Sequence, residues 1–306
     1  MLSSLPIKCP GYLLAKAEKL PSVRAAVVNP TSKTSLQSAR LATEVGLISP
    51  VLVGDTAIIK ALAEQIGWDI YGIRLVPSEG EMAAAELAVA LARGKEVATL
   101  IQGDIQAVDL LRVVVDEQQG LLKGKHLSHV FHMTVPTSSK VLCITDAVIN
   151  VLPSVDERLE IARNAVGLMH ALGNIEPRVA VLSASEEAAT SMPSSVDATF
   201  ISEASARGAV KGARVFGPLT FDSAVSAEVA RIKSIANPVA GNADIVLVPN
   251  VETGSALCQQ MVYFMSAAAA GIVLGASVPI VLNASADEAA TRLAAAALAS
   301  IYAAST

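Results

Sequence analysis

Short apolar runs alternate with helical apolar patterns along most of this chain, and that alternation restricts the fold more than any other feature. Val23-Arg-Ala-Ala-Val-Val28 reads as a strand ending at Asn29-Pro30. Thr34 or Ser35 then caps a helix whose apolar positions, Leu36, Ala39, Leu41, Ala42 and Val45, keep helical spacing up to Gly46. Pro50-Val-Leu-Val53 is the next strand, and Asp55 caps Ile58, Ile59, Leu62, Ala63 and Ile66. Ile73-Arg-Leu-Val76 with a helix over 79–92, and Ala98-Thr-Leu-Ile101 with a helix around Leu110, Leu111 and Val114, repeat the unit. Strands that alternate with helices across short loops predict a doubly wound α/β fold with mostly parallel sheets. The residues are 52% hydrophobic and only 3% aromatic, so the core must be built from Ala, Val, Leu and Ile. That suits parallel strands covered on both faces by alanine-rich helices.

After Gly124 the pattern changes. His129-Val-Phe-His-Met-Thr-Val135 and Val141-Leu-Cys-Ile-Thr145 are apolar runs with nothing helical between them, which predicts a hairpin. A boundary is expected near Asn150-Val-Leu-Pro153. Residues 1–149 and 287–306 would then form a first α/β domain with a returning C-terminal helix, and 150–286 a second. In that second set a helix over 156–172 precedes the strand Val179-Ala-Val-Leu182. Gly217-Pro218 marks a turn, and Asp222 precedes a helical pattern of Ala224, Val225, Val229 and Ile232. Ile245-Val-Leu-Val248 reads as a buried strand opening into Asn250-Val-Glu-Thr-Gly254, with a helix from near Ser255. A loop beyond the carboxyl end of a buried parallel strand is where open α/β sheets bind ligands. No charged residue occurs between Glu252 and Asp287, yet Gly271, Gly275 and Pro279 interrupt the stretch. It reads as a buried helix followed by a strand pair or one long strand, not a span of about 20 apolar residues.

Several function classes lose support. A formal charge of −5 offers no basic footprint for nucleic acid. Cys9, Cys143 and Cys258 are odd in number and far apart, which suits free thiols in a cytoplasmic protein. Lys8, Lys16 and Pro10-Gly11 break up any signal-peptide core. No Gly-x-Gly-x-x-Gly, Walker or Cys-x-x-Cys motif is present, so nicotinamide and P-loop readings have little support. His129 and His132 lie three apart on a predicted strand, on opposite faces, and cannot chelate one metal. They read as structural or surface residues, and no metal is expected.

One further pattern runs through the chain. It comprises Gly217-Pro-Leu-x-Phe-Asp222, Pro238-Val-Ala-Gly-x-Ala-Asp-Ile245 and Val248-Pro-x-x-Glu-x-Gly254, together with Asn29-Pro30, Gly46-Leu-Ile, Gly103-Asp-Ile105, Ile144-Thr-Asp-Ala147 and Met192-Pro193. This order resembles the phosphate acetyltransferase/phosphate butyryltransferase family. The resemblance implies a two-domain fold similar to isocitrate and isopropylmalate dehydrogenases, with an interdomain cleft and a homodimeric assembly. It also implies exchange of a short acyl group between CoA and inorganic phosphate, with acyl-CoA and phosphate as substrates and no cofactor.

The resemblance assigns the site as well. Asp287 keeps the family's acid and is the candidate base for the CoA thiol, with Ser285 beside it as a second catalytic candidate. Ser285-x-x-Glu288 equally reads as a capping box, in which Asp287 would only favour a helix N-terminus. Members carry a Ser-Arg pair where this chain has Ala284-Ser285, and a basic residue where it has Gln102. Asn29 stands for a His and Asn250 for an Asp. Asn29, Gln102, Arg112, Asn250, Glu252 and Ala284 are the candidate substrate-binding positions. Neutral side chains at the pattern's basic positions predict phosphotransacylase activity that is weak or absent, raised by Ala284→Ser, Ser285→Arg and Gln102→Lys together. The alternative is a catalytically silent homologue that binds CoA or a small anion.

Overall fold

The computed structural model describes residues 2–124, 126–138, 140–284 and 287–306. Contacts divide the chain into two compact units, Met1–Pro6 with His126–Ala269, and Ile7–Lys125 with Ala270–Thr306. The hairpin expected within 1–149 therefore groups with the middle of the chain, and the stretch from 270 groups with the final helix.

Alternation is realised element by element. The chain begins with α1 (Gly11–Ala17), β1 (Val23–Val28), α2 (Lys33–Glu44), β2 (Ile48–Gly54), α3 (Thr56–Gln65), β3 (Arg74–Pro77), α4 (Glu81–Arg93), β4 (Thr99–Gln102) and α5 (Ala107–Val114). The middle contributes β5 (Ser128–Thr134), β6 (Val141–Thr145), α6 (Val155–Ala171), β7 (Arg178–Leu182), α7 (Pro193–Ala206) and β8 (Arg214–Leu219). It continues with α8 (Phe221–Val225), α9 (Ala227–Ile232), β9 (Ile245–Leu247) and α10 (Val251–Met265). The chain ends with β10 (Ala268–Leu274), β11 (Ile280–Val281) and α11 (Ala289–Ala303).

In the unit holding both the early strands and the final helix, the strand order is β3-β2-β1-β4-β11-β10. Every neighbouring pair through β11 is parallel, and β10 closes antiparallel on β11. β1, flanked by β2 and β4, is apolar on both faces apart from Arg24. The other unit runs β5-β6-β9-β7-β8, parallel except for the β5–β6 hairpin that the sequence predicts. Its central strand β9 is wholly buried.

Local chemistry sets the helix starts. Ser32, not Thr34 or Ser35, caps α2; its hydroxyl accepts the Ser35 N–H while the Ser35 hydroxyl closes the box. Ser154 and Glu157 form the same reciprocal cap on α6. The helix expected after Asp222 is two short ones, because Ser226 leaves helical geometry and caps α9 anew. Asn250 is itself the N-cap of α10, so that helix starts four residues earlier than its apolar pattern suggested. α11 starts at Ala289 with Glu288 as N-cap; Ser285, the other half of the expected capping box, lies outside the described residues.

α11 is buried all round, from Ala294 to Ile301 without interruption, which is the pattern of an internal helix. Alanine at Ala294, Ala295, Ala296 and Ala297 lets neighbouring backbone come close, so the core is held by many small contacts. Extra volume there must displace backbone. Ala297, fully buried, should tolerate leucine poorly: Ala297→Leu is expected to destabilise by roughly 1–3 kcal/mol, seen as a lower urea midpoint. An unchanged midpoint would reveal slack beneath α11.

Candidate active site

Four of the sequence candidates meet at the carboxyl edge of β1, β4 and β11. Asn29 follows β1 with a left-handed backbone, φ 53°, a conformation that asparagine tolerates better than most residues. Its side-chain amide donates to the Asp104 carbonyl at 2.6 Å, and its own carbonyl accepts the Asp104 N–H. The Asp104 carboxylate in turn accepts the Ser32 N–H at 2.7 Å and the Ser35 hydroxyl at 2.6 Å. The β1–α2 and β4–α5 turns are thereby stitched together. Gly103 sits between them so closely that a Cβ would lie 2.3 Å from the Val28 carbonyl oxygen; only glycine fits.

Gln102 ends β4 and is 8% exposed. Its side-chain oxygen accepts the Asn283 N–H at 3.0 Å, its side-chain nitrogen donates to the Ile105 carbonyl, and its own carbonyl accepts the Asn283 amide. The residue is thus spent on joining strand ends. Just beyond, the Ala284 N–H donates to the Asp287 carboxylate at 2.7 Å, and the Asp287 N–H returns to the Ala284 carbonyl. Burial pushes the Asp287 carboxyl above the usual carboxylate range, against the Ala284 N–H and the Arg292 guanidinium, which pull it down.

The remaining candidates fall elsewhere. Arg112 does not reach this edge: its side chain, 66% exposed, pairs with Asp109 at 3.0 Å. It lines a groove of about 390 Å³ together with Met82, Val89 and Arg93 on α4. Asn250 and Glu252 belong to the other unit. The Asn250 side chain accepts both the Thr253 N–H and the Thr253 hydroxyl, and Glu252 is exposed in the first turn of α10. Ser285 lies outside the described residues. His129 and His132 are buried, which removes the surface reading, and burial lowers each to about 4 and keeps both neutral.

The β7–β8 edge of that second unit carries a network that sequence reading missed. Lys233, just past α9, reaches Glu186 at 2.7 Å and Asp222 at 3.3 Å. Thr220 and Ser223 hydroxyls also donate to Glu186. In the loop after β6, the buried Asp146 carboxylate accepts the backbone N–H groups of His129, Val148 and Ile149 and the Asn150 amide. Asp146 and Asp222 stand inside motifs of the family pattern, but nothing in their spacing indicates partners such as Lys233 or His129.

Residues 81–300 match the family profile described as phosphate acetyl/butaryl transferase. The chain belongs to this family. A phosphate acetyltransferase of Rhizobium meliloti is 40% identical over 98% of this chain and 94% of its own length. A phosphate butyryltransferase of Clostridium acetobutylicum is 34% identical over 97% of this chain and 99% of its own. The crystal structure of a branched-chain phosphotransacylase from Enterococcus faecalis is similar at a TM-score of 0.79 and 27% identity, covering 92% of this chain and 99% of that one. The α/β fold expected from the sequence is therefore the fold of the phosphate acetyl/butyryl transferase family.

The Glu186 network makes a pH prediction. Burial alone would raise the Glu186 carboxyl, but hydrogen bonds from Lys233, Ser223 and Thr220 outweigh it and bring it down to about 2. A carboxyl lowered by folding stabilises the native state above its unfolded value, and that contribution fades as pH falls towards about 2. The stability difference between the unmodified chain and Glu186→Gln should be largest at neutral pH and shrink steadily below pH ~4.5. Urea melts across pH 3–7 measure it; a pH-independent difference would show that the network does not fix the carboxylate.

Proposed function

We propose that this chain transfers a short acyl group between CoA and inorganic phosphate. The observation that carries the reading is the match to phosphate acetyltransferases along almost the whole chain. Acetyl and butyryl are both within its scope, since relatives of each name match at similar length. In the direction of acyl-CoA synthesis, Asp287 takes the thiol proton of CoA, the thiolate attacks the acyl phosphate carbonyl, and phosphate leaves. In the other direction the proton returns to the departing thiolate. A carboxyl raised by partial burial is better matched to such proton transfer than an ordinary one. Ser285, two residues before Asp287 in the sequence, is the second catalytic candidate. Assembly as a homodimer in the cytoplasm completes the proposal. Tyr263, Phe264 and Met265, each about half exposed at the end of α10, support an interface with a second copy, checked by light scattering.

Phosphate capture is the weak half of this site. A phosphate anion needs charge-assisted donors to offset its desolvation, and Asn29, Gln102 and Ala284 bring no cation. The N-terminus of α11, whose N-cap Glu288 makes no side-chain capping bond, offers backbone N–H groups instead. Phosphate-dependent release of CoA from acetyl-CoA and butyryl-CoA is expected to be measurable but slow. Ala284→Ser with Ser285→Arg should raise kcat/KM for phosphate by roughly ten- to a hundred-fold, one charge-assisted hydrogen bond being worth about 1.5–3 kcal/mol. Robust turnover by the unmodified chain at ordinary phosphate would show that another group supplies the charge.

The bonding of Gln102 revises the third substitution. Lysine has donors only, so it cannot accept the Asn283 N–H as Gln102 does at 3.0 Å. It would also place a buried ammonium at the strand end. Adding Gln102→Lys to the double variant should therefore lower activity and stability, not raise them. A further gain in kcat/KM with an unchanged urea midpoint would overturn this.

A further inference from the structure

α11 is an alanine-rich internal helix, and a charged side chain there needs a reason. Arg292 is only 9% exposed, and a buried guanidinium is costly unless its donors are met. Its Nη2 donates to the Ala284 carbonyl at 2.9 Å and its Nε to the Asp287 carbonyl at 3.2 Å. The two acceptors bracket the turn that leads from β11 into α11. Within that turn the Ala284 N–H holds the Asp287 carboxylate, and the Ala284 carbonyl also takes the Asp287 N–H. One side chain thus holds a carbonyl on each of the two residues that the Asp287 carboxylate links. Its hydrogen bonds go to carbonyl oxygens, leaving the carboxylate free to exchange a proton.

We propose that Arg292 is a positioning residue for acyl transfer, setting the orientation of the Asp287 carboxylate by clamping the Ala284 and Asp287 carbonyls. This rests on the reading of Asp287 as the base. Bidentate geometry is the essential property: a guanidinium presents donors in a fixed fork, whereas an ammonium is a single point on a flexible stem. Lysine keeps the charge but cannot span both carbonyls in the same way. A loosened carboxylate still permits substrate binding and spoils the proton transfer, and a displacement of about 1 Å can cost on the order of a hundred-fold in rate.

The test is a double-mutant cycle on the full chain, with CoA release from acetyl-CoA and phosphate as the readout. Arg292→Lys is expected to lower kcat about ten- to a hundred-fold, with KM for acetyl-CoA changed less than about twofold and the circular dichroism spectrum retained. In an Asp287→Asn background the same change should cost nothing further, because the group it positions is gone. Unchanged kcat in Arg292→Lys, or losses that add independently to those of Asp287→Asn, would overturn the proposal. If Arg292→Lys does not fold, Arg292→Gln is measured in the same way. Failure of both to fold assigns the residue to structure alone and also overturns it. Full activity in Asp287→Asn, or no turnover by the unmodified chain, defeats the underlying reading of the base and this inference with it. Sensitivity to Asp287→Asn without sensitivity at Arg292 defeats only the inference.

Discussion

The candidate site depends on side-chain amides that tie together the carboxyl ends of neighbouring parallel strands. Parallel strands finish with unpaired peptide groups at one edge, and those groups must find partners if they are shielded from water. Gln102 and Asn283 satisfy each other across β4 and β11 through main chain and side chain at once. Asn29 and Asp104 do the same across β1 and β4. These links set the spacing at which the turns carrying Ala284 and Asp287 leave the sheet. Any group that binds substrate here inherits its position from them. The cost is that Gln102, which looks like a ligand-binding residue in the sequence, is buried with both ends of its amide already bonded.

Strand and helix identities were legible because they follow from local pattern. Apolar runs of four to six residues such as Val23–Val28, punctuated by Asn29-Pro30, have one reading in an alanine-rich α/β chain. The hairpin of β5 and β6 and the buried strand β9 were legible for the same reason. Helix starts were less so. Ser32, Thr34 and Ser35 are all competent caps, and the choice among them is made by Asp104, seventy-two residues from Ser32, which takes the Ser32 N–H and the Ser35 hydroxyl. The break between α8 and α9 at Ser226 likewise has no signature in hydrophobic periodicity, which continues straight through it.

The site was legible as a set of loops and illegible as a set of bonds. Asn29, Gln102, Ala284 and Asp287 all lie at or after strand ends, and topology brings those strand ends to one edge. Arg112 falls away from this edge because a helical residue near such a loop has several faces, and the one it occupies is a solvated face turned towards α4. Arg292 was missed for the opposite reason. Seen in sequence it is one cation in an alanine-rich segment, and an exposed helix face is the ordinary home for it. Only its burial shows that the helix presents it inward.

Burying that arginine runs against the economy of the rest of α11, where alanine allows close approach and asks for no partners. A methionine or leucine of similar length would keep the packing without desolvating a charge, and such replacements of buried charges are often neutral or stabilising. The arginine instead spends two charge-assisted bonds on the carbonyls of Ala284 and Asp287, groups that water could solvate if the turn were open. What the exchange secures is geometry: a turn with fixed ends beside a carboxylate whose proton affinity burial has raised. The neutral amides at the strand ends and the cation beneath the turn then form one arrangement. Among the described residues named at this edge, Asn29, Gln102, Asn283 and Ala284 carry no charge, and the Arg292 cation that acts on Asp287 spends its bonds on the carbonyls of Ala284 and Asp287.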